Sequence, residues 1–270
     1  MNSDLALARQ VGEIARAAAA AILPIYHSDF AVQTKADASP LTAADLAAQR
    51  VILAGLASLR PTLPVVSEEV RAADWAQRQQ WSRYWLVDPL DGTREFVKRN
   101  GEFTVNIALI EDHCSVLGTV LAPVTGELYV AAQGAGAWLQ PQPAAPWQRL
   151  STRPLARPAV LAGSRSHGKL PAPTLSALLG ADHQRVAMGS SLKFCLLARG
   201  VADVYLRLGA TSEWDTGAAQ CVLQEAGGAL LDLQGETFAY NRKESLLNPE
   251  FIAVGDPTVD WVARLRGAGL

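Results

Sequence analysis

The sequence predicts a mixed α and β protein, in which an α+β half with an antiparallel sheet precedes an α/β half. Three patterns carry that class: apolar residues three and four apart near the N-terminus, strict alternation from Gly101 onward, and short apolar runs interleaved with helical segments beyond residue 146. Hydrophobic types fill 49% of the 270 positions and charged types 19%, a composition that can bury a large core. A chain of this length sits near the limit for one core, so two packed lobes are expected, 1–145 and 146–270. The Pro-rich stretch at 140–146 is their natural boundary.

The elements follow in order. Val11, Ile14, Ala18, Ile22 and Ile25 form the stripe of an amphipathic first helix. Its apolar part is too short to span a bilayer and is preceded by Asp4, Arg9, Glu13 and Arg16, and Pro24 interrupts it, which argues against a signal peptide. Phe30, Val32 and Thr34 alternate with polar or small neighbours and predict a strand, with a turn over 37–40. Thr42 and Asp45 have the spacing of a capping box opening a second helix, whose face carries Ile52, Leu56 and Leu59 before Pro61 and Pro64 end it. Residues 64–69 read as a short buried strand ending in Glu68 and Glu69. Residues 75–81 read as helical, and 84–87 as an apolar run leading to Asp88 and Asp91.

Alternation of Phe103, Val105, Ile107 and Leu109, then 115–121 and 128–132, predicts an antiparallel meander. Beyond it, strands at 159–162, 185–188, 201–206 and 229–233 alternate with helical segments at 173–180, 192–199 and 216–226. Cys195, between Phe194 and Leu196, reads as a small core residue.

Charge and cysteine usage exclude several functions. Lys plus Arg number 24 against 26 Asp plus Glu, a net charge of −2, which leaves no basic field for a nucleic-acid polymer. A small anion remains an open partner. The 3 cysteines and 4 histidines are scattered, so neither a disulfide framework nor a zinc motif is present, and a reducing compartment fits best.

The informative pattern is where the carboxylates fall. Glu68, Glu69, Asp88, Asp91 and Asp215 each stand where an apolar run meets a turn or a helix start, so that different elements can deliver them to one cleft. Hard divalent cations want such oxygen ligands. In Asp88-Pro-Leu-Asp-Gly-Thr93, Pro89 stiffens the backbone between the acids, and the Leu90 carbonyl supplies a third oxygen. The amides of Gly92 and Thr93 suit an anion. Acids for metal beside amides for an anion suggest metal-assisted phosphoester hydrolysis, with Thr93 orienting the water and Asp45 accepting the hydroxyl proton.

Val65-Val-Ser-Glu-Glu69, Trp85-Leu-Val-Asp-Pro-Leu-Asp-Gly-Thr-Arg-Glu-Phe96, and Trp214-Asp-Thr-Gly-Ala-Ala219 with Glu225-Ala-Gly-Gly228 resemble, in order and spacing, the three signatures of the inositol monophosphatase superfamily. The resemblance spans essentially the whole chain. Residues 100–109 and Gly189-Ser-Ser-Leu-Lys-Phe-Cys195 are most similar to its bacterial 3'(2'),5'-bisphosphate nucleotidase branch.

That resemblance implies a layered αβαβα sandwich with the site between the halves, and two or more Mg2+ ions held by Glu68, Asp88, the Leu90 carbonyl, Asp91 and Asp215. It implies catalysis by Thr93, Asp45 and Glu68. Substrate contacts would come from Glu68, Asp91, Gly92, Thr93 and Asp215 on the scissile side, and from His167, Ser190, Lys193 and Arg207 toward the nucleoside and second phosphate. The implied substrate is 3'-phosphoadenosine 5'-phosphate, a by-product of sulfate assimilation, or its 5'-phosphosulfate analogue. The implied place is the cytoplasm, with weak peripheral association on the inner membrane as an extension, although no basic amphipathic anchor or lipidation motif is present. After Thr216 the family's usual Ala-Ala-Gly-His reads Gly217-Ala-Ala-Gln220, so the packing of that helix start is expected to differ.

Plainer readings stand beside these. Thr42 with Asp45 also reads as a helix cap alone, and Asp215 as an N-cap. Glu69, Lys193, Arg207 and His167 also read as solvated or paired surface groups. An inositol or sugar phosphomonoesterase is the sibling function, and a non-catalytic protein that binds a phosphorylated metabolite is the alternative of a different class.

Overall fold

The N-terminal stripe becomes a long helix, α1 (Ser3–Tyr26), with Val11, Ala15, Ala18 and Ile22 fully buried. Pro24 lies inside its last turn, so the proline does not interrupt the helix as its position suggested. The computed structural model describes residues 3–34, 40–70, 73–165 and 171–270. Strands β1 (Val32–Thr34) and β2 (Pro40–Thr42) pair antiparallel, so Pro40 belongs to a strand; the rest of the expected turn lies outside the described residues. Helix α2 (Ala43–Ser58) begins at the expected capping box: Ala44 N–H donates to Thr42 Oγ1 at 3.1 Å, and Thr42 N–H to Asp45 Oδ2 at 2.8 Å.

After β3 (Val65–Ser67) comes α3 (Trp75–Arg78), shorter than the 75–81 expected. Strand β4 (Arg83–Asp91) then carries both acids at its end, and α4 (Thr93–Val97) follows at once. The meander is longer than its alternation suggested: β5 (Thr104–Glu111), β6 (Cys114–Leu121) and β7 (Leu128–Ala132) continue into β8 (Gly136–Gln140) and β9 (Gln148–Arg149). These seven strands form one sheet in sequence order, parallel only between β3 and β4.

The second sheet uses β10 (Val160–Ser164), β11 (Gln184–Met188), β12 (Val204–Arg207), β13 (Ala229–Asp232) and β14 (Phe251–Val254), in the order β11-β10-β12-β14-β13. Strand β12 starts later than the expected 201 because Asp203 turns the chain, accepting the Arg153 guanidinium at 2.8 and 3.0 Å and the Val160 N–H at 2.7 Å. Helices α5 (Ala172–Leu179), α6 (Leu192–Ala198), α7 (Glu213–Glu225) and α8 (Trp261–Gly267) accompany this sheet; β14 and α8 were not anticipated.

Alternation along β4 divides the interior. Trp85 and Val87 point into a core shared with α1 and α2, while Tyr84 and Leu86 point into a second core that includes residues of α6 and α7. A third core lies between the second sheet and helices α5 and α8. The layers are therefore α1 and α2, the seven-stranded sheet, α6 and α7, the five-stranded sheet, and α5 and α8: an αβαβα sandwich. Helix α7 is drawn close to β6 at Gly118, where a Cβ would stand 2.1 Å from the Ala218 carbonyl oxygen.

The altered helix start is well packed. Gly217 fits against Leu86, its carbonyl accepts Ser115 Oγ–H at 2.7 Å, and the buried Gln220 bonds the Tyr240 hydroxyl. Among the described residues, no helix is long and apolar enough to cross a membrane.

Candidate active site

Strand β4 runs buried to its end and then has to turn. Leu90 N–H closes back on Asp88 Oδ1 at 3.0 Å, holding that carboxylate while Pro89 limits the backbone between them. Asp91 follows at the edge of the cleft, and Gly92, at φ 91°, swings the chain into α4 with Thr93 as its first residue. From the other side comes the start of α7. Its N-cap is Ser212, not Asp215; Asp215 is the third helical residue, and its Oδ2 accepts the Ser212 N–H at 2.8 Å. Asn248 supports the same turn, donating to the Ser212 carbonyl at 2.7 Å and to the Thr211 and Thr216 hydroxyls, each at 3.1 Å.

The outcome is three acids from two elements with one carboxylate oxygen each, all within 4.8 Å of one another: Asp88, Asp91 and Asp215. Glu68, just past β3, lines the same cleft. Burial pushes Asp88 well above the usual carboxylate range, with Glu68, Asp91 and Asp215 pushing in the same direction. Asp215 is pushed up to about 8, first by burial and then by Asp91. Asp91 is also raised by burial, but Lys193 and the Ser191 N–H at 2.6 Å oppose the rise. So many buried carboxylates are costly without a cation, and an all-oxygen set of acids and a carbonyl suits a hard divalent ion. The residues present fit such an ion.

Thr93 and Asp45 meet as the sequence suggested. Thr93 Oγ1 is 3.4 Å from Asp45 Oδ1 and 3.3 Å from the Leu90 carbonyl oxygen. Asp45 Oδ2 is meanwhile occupied by the Thr42 N–H at 2.8 Å and the Thr42 hydroxyl at 2.7 Å. Capping and contact with Thr93 thus use different oxygens of one buried carboxylate.

Glu68, Asp88, Leu90, Asp91, Gly92, Thr93, Ser190, Lys193, Arg207 and Asp215 all line this one cleft. Asp45 stands behind it, and His167 lies outside the described residues. The two expected cations are engaged with the protein itself. Lys193 is buried, donates to the Ser190 carbonyl at 2.6 Å and lies over the Tyr205 ring at 4.9 Å; burial lowers its pKa to about 8, against the pull of Asp91. Arg207 donates to the carbonyls of Gly209 at 3.2 Å and Ala210 at 3.0 Å.

Sequence reasoning passed over Arg94, which lines the cleft from the first turn of α4, is exposed, and whose side chain forms no hydrogen bond or ion pair among the described residues. Its place directly after Thr93 was the available signal. It also passed over Thr104, Asn106 and Ser191, which cluster on Asp91: Ser191 Oγ bonds Thr104 Oγ1 at 2.8 Å and Asn106 Oδ1 at 2.9 Å. No local pattern marks that cluster, because Thr104 and Asn106 come from β5 and Ser191 from the cap of α6.

The model of the inositol monophosphatase family matches residues 4–256. The chain is 49% identical, over 90% of its length and 97% of the relative's, to the 3'(2'),5'-bisphosphate nucleotidase CysQ of Salmonella typhimurium. Among solved structures it resembles CysQ from Bacteroides thetaiotaomicron with a TM-score of 0.81 and 37% identity, covering 94% of this chain and 98% of that one. It also resembles an inositol monophosphatase from Zymomonas mobilis with a TM-score of 0.77 and 25% identity, covering 100% of both chains.

Proposed function

Because the chain belongs to the inositol monophosphatase family, we propose that it is a magnesium-dependent 3'(2'),5'-bisphosphate nucleotidase that hydrolyses 3'-phosphoadenosine 5'-phosphate to AMP and phosphate. The observation that carries the reading is the trio of Asp88, buried, with Asp91 and Asp215, half-buried, lining a cleft that also holds Lys193, Arg207 and Arg94. Acids serve the cation and the reacting phosphate; separate cations serve a second anionic group. A relative that carries this activity in its name, 49% identical over 90% of this chain, supports the substrate class.

In this reading Glu68, Asp88, the Leu90 carbonyl, Asp91 and Asp215 hold the ions. Bound magnesium would acidify water and neutralise charge developing on the phosphoryl group. The protein's own residues do the rest. Thr93 Oγ1, donating toward Asp45 Oδ1, keeps a lone pair for a proton of the attacking water and passes its own proton to Asp45. The backbone at Gly92 and Thr93, entering α4, receives the scissile phosphate. Ser190 and Lys193 belong to one turn on the opposite wall, and Arg94, with its guanidinium uncommitted among the described residues, meets the second phosphate beside Arg207. The substrate is a small nucleotide, not a nucleic-acid polymer. The 5'-phosphosulfate analogue has the same 3'-phosphate and is accepted in the same way.

A reducing, cytoplasmic setting fits the three free cysteines, two of them buried. Peripheral membrane attachment gains no support from α1, whose apolar stripe is spent on the core.

The test is phosphate release with and without Mg2+ from the adenosine bisphosphate, inositol 1-phosphate and fructose 1,6-bisphosphate, beside Asp91→Asn. Magnesium-dependent release with preference for the adenosine bisphosphate is expected. A preference for inositol phosphate would move the protein to the sibling activity, and release from none of the three would leave it a binding protein.

A further inference from the structure

Glu102 has no part in the chemistry above, yet its carboxylate ties the two walls of the cleft together. It stands in the segment joining α4 to β5, on the side of the first sheet. Its Oε2 accepts the Gly189 N–H at 2.8 Å and Arg165 Nε at 2.7 Å, and its Oε1 accepts Arg165 Nη2 at 2.5 Å. Both partners follow strands of the second sheet: Arg165 comes after β10, and Gly189 after β11. Arg165 also donates to the Ala187 carbonyl at 3.0 Å, so the fork grips the end of β11 just ahead of the turn.

The turn held this way is the wall of the site. A Cβ on Gly189 would lie 2.5 Å from the Glu102 carbonyl oxygen, so the two segments are in direct backbone contact. Ser190 then takes a left-handed φ of 45°, and Ser191 N–H points to Asp91 Oδ2 at 2.6 Å. That amide is the shortest bond Asp91 makes, ahead of Thr104 Oγ1 and Asn106 Nδ2, each at 3.4 Å. Ser190 also supplies the carbonyl that holds Lys193.

We infer that Glu102 is a positioning residue: it fixes the 189–191 turn so that the Ser191 amide orients Asp91, and with it the geometry in which the site takes a divalent cation. The inference rests on the metal-dependent reading above. Partners that orient metal ligands without touching the metal typically change metal affinity by one to two orders of magnitude when lost. An interaction that serves only to hold the fold would move thermal stability instead.

The experiment is calorimetric titration of the full-length protein with Mg2+ alone, with no substrate, for the wild type, Glu102→Ala and Glu102→Gln, accompanied by thermal melts and by KM for the adenosine bisphosphate. Glu102→Ala is expected to weaken Mg2+ binding by about tenfold and to raise KM, with a melt close to that of the wild type. Glu102→Gln keeps one acceptor for the Gly189 N–H but cannot also take the Arg165 fork, and falls between the two. Wild-type Mg2+ binding in Glu102→Ala overturns the inference; should that variant not fold, wild-type binding in Glu102→Gln does so. A wild type that binds Mg2+ without hydrolysing the bisphosphate refutes the nucleotidase reading and leaves the Mg2+ comparison standing.

Discussion

Asp45 divides its labour between two oxygens: Oδ2 closes the cap of α2 on Thr42, and Oδ1 faces Thr93. In Asp45→Asn the amide oxygen can still accept from Thr42, but an NH2 group then faces Thr93 and cannot take its proton. Turnover is expected to fall by about 10²- to 10⁴-fold with an unchanged melt; phosphate release and circular dichroism check both halves, and full activity would remove Asp45 from the proposed chemistry. Arg94→Ala is expected to raise KM for the adenosine bisphosphate about tenfold, the worth of one charge-assisted hydrogen bond, while a phosphate monoester without a second anionic group keeps its KM. Equal loss on both substrates would place Arg94 elsewhere. The acids themselves were readable from the sequence, because each stands where an apolar run stops, and Asp88 and Asp91 flank a proline that cannot continue a ladder. Ser191 and Glu102 were not readable. Ser191 takes its meaning from Asp91, 100 positions away, and Glu102 from Gly189, 87 positions away, and only the stacking of two sheets brings them near.

At the scale of elements, α7 carries most of the consequence. It delivers Asp215 and lies against the first sheet so closely that Gly118 has no room for a side chain. Gly118→Val therefore has to push α7 away from β6. A loss of about 1–3 kcal/mol is expected, read as a lower melting temperature, together with weaker Mg2+ binding because Asp215 moves with the helix. A lower melting temperature with unchanged Mg2+ binding would separate the helix position from the metal site. The spacing in α1, the cap of α2 and the alternation in β5 were plain in the sequence, since each is a local rule. Strands β8 and β9 were missed because their residues show little alternation, and β14 because Phe251-Ile-Ala-Val254 is buried on both faces and so carries no period of two. The left-out helix α8 begins at an Asp260 cap, a signal that was available.

At the scale of the molecule, charge and stability are linked through the acid cluster. Asp215, at about 8 in the folded protein without a cation, lies far above its ordinary 3.8. The folded state therefore holds a proton that the unfolded chain has released, and the cation-free protein loses stability as pH rises from about 4 towards 8. A bound divalent cation would reverse this by replacing the proton. Melts in EDTA and in Mg2+ from pH 5 to 9 are expected to diverge as pH increases, and Mg2+ addition near pH 7 is expected to release protons into a weakly buffered solution. Parallel melts across that range would count against the cluster as a cation site. The αβαβα layering adds a mechanical reading to the same acids. Two of them come from the first sheet and one from a helix sandwiched between the two sheets, so their mutual repulsion works as a wedge at the seam. A divalent ion in that seam acts as a rivet, and how firmly the middle layer is held becomes a gauge of whether the ion is present. Amide exchange along α7 would then report metal loading in a protein that has never met its substrate.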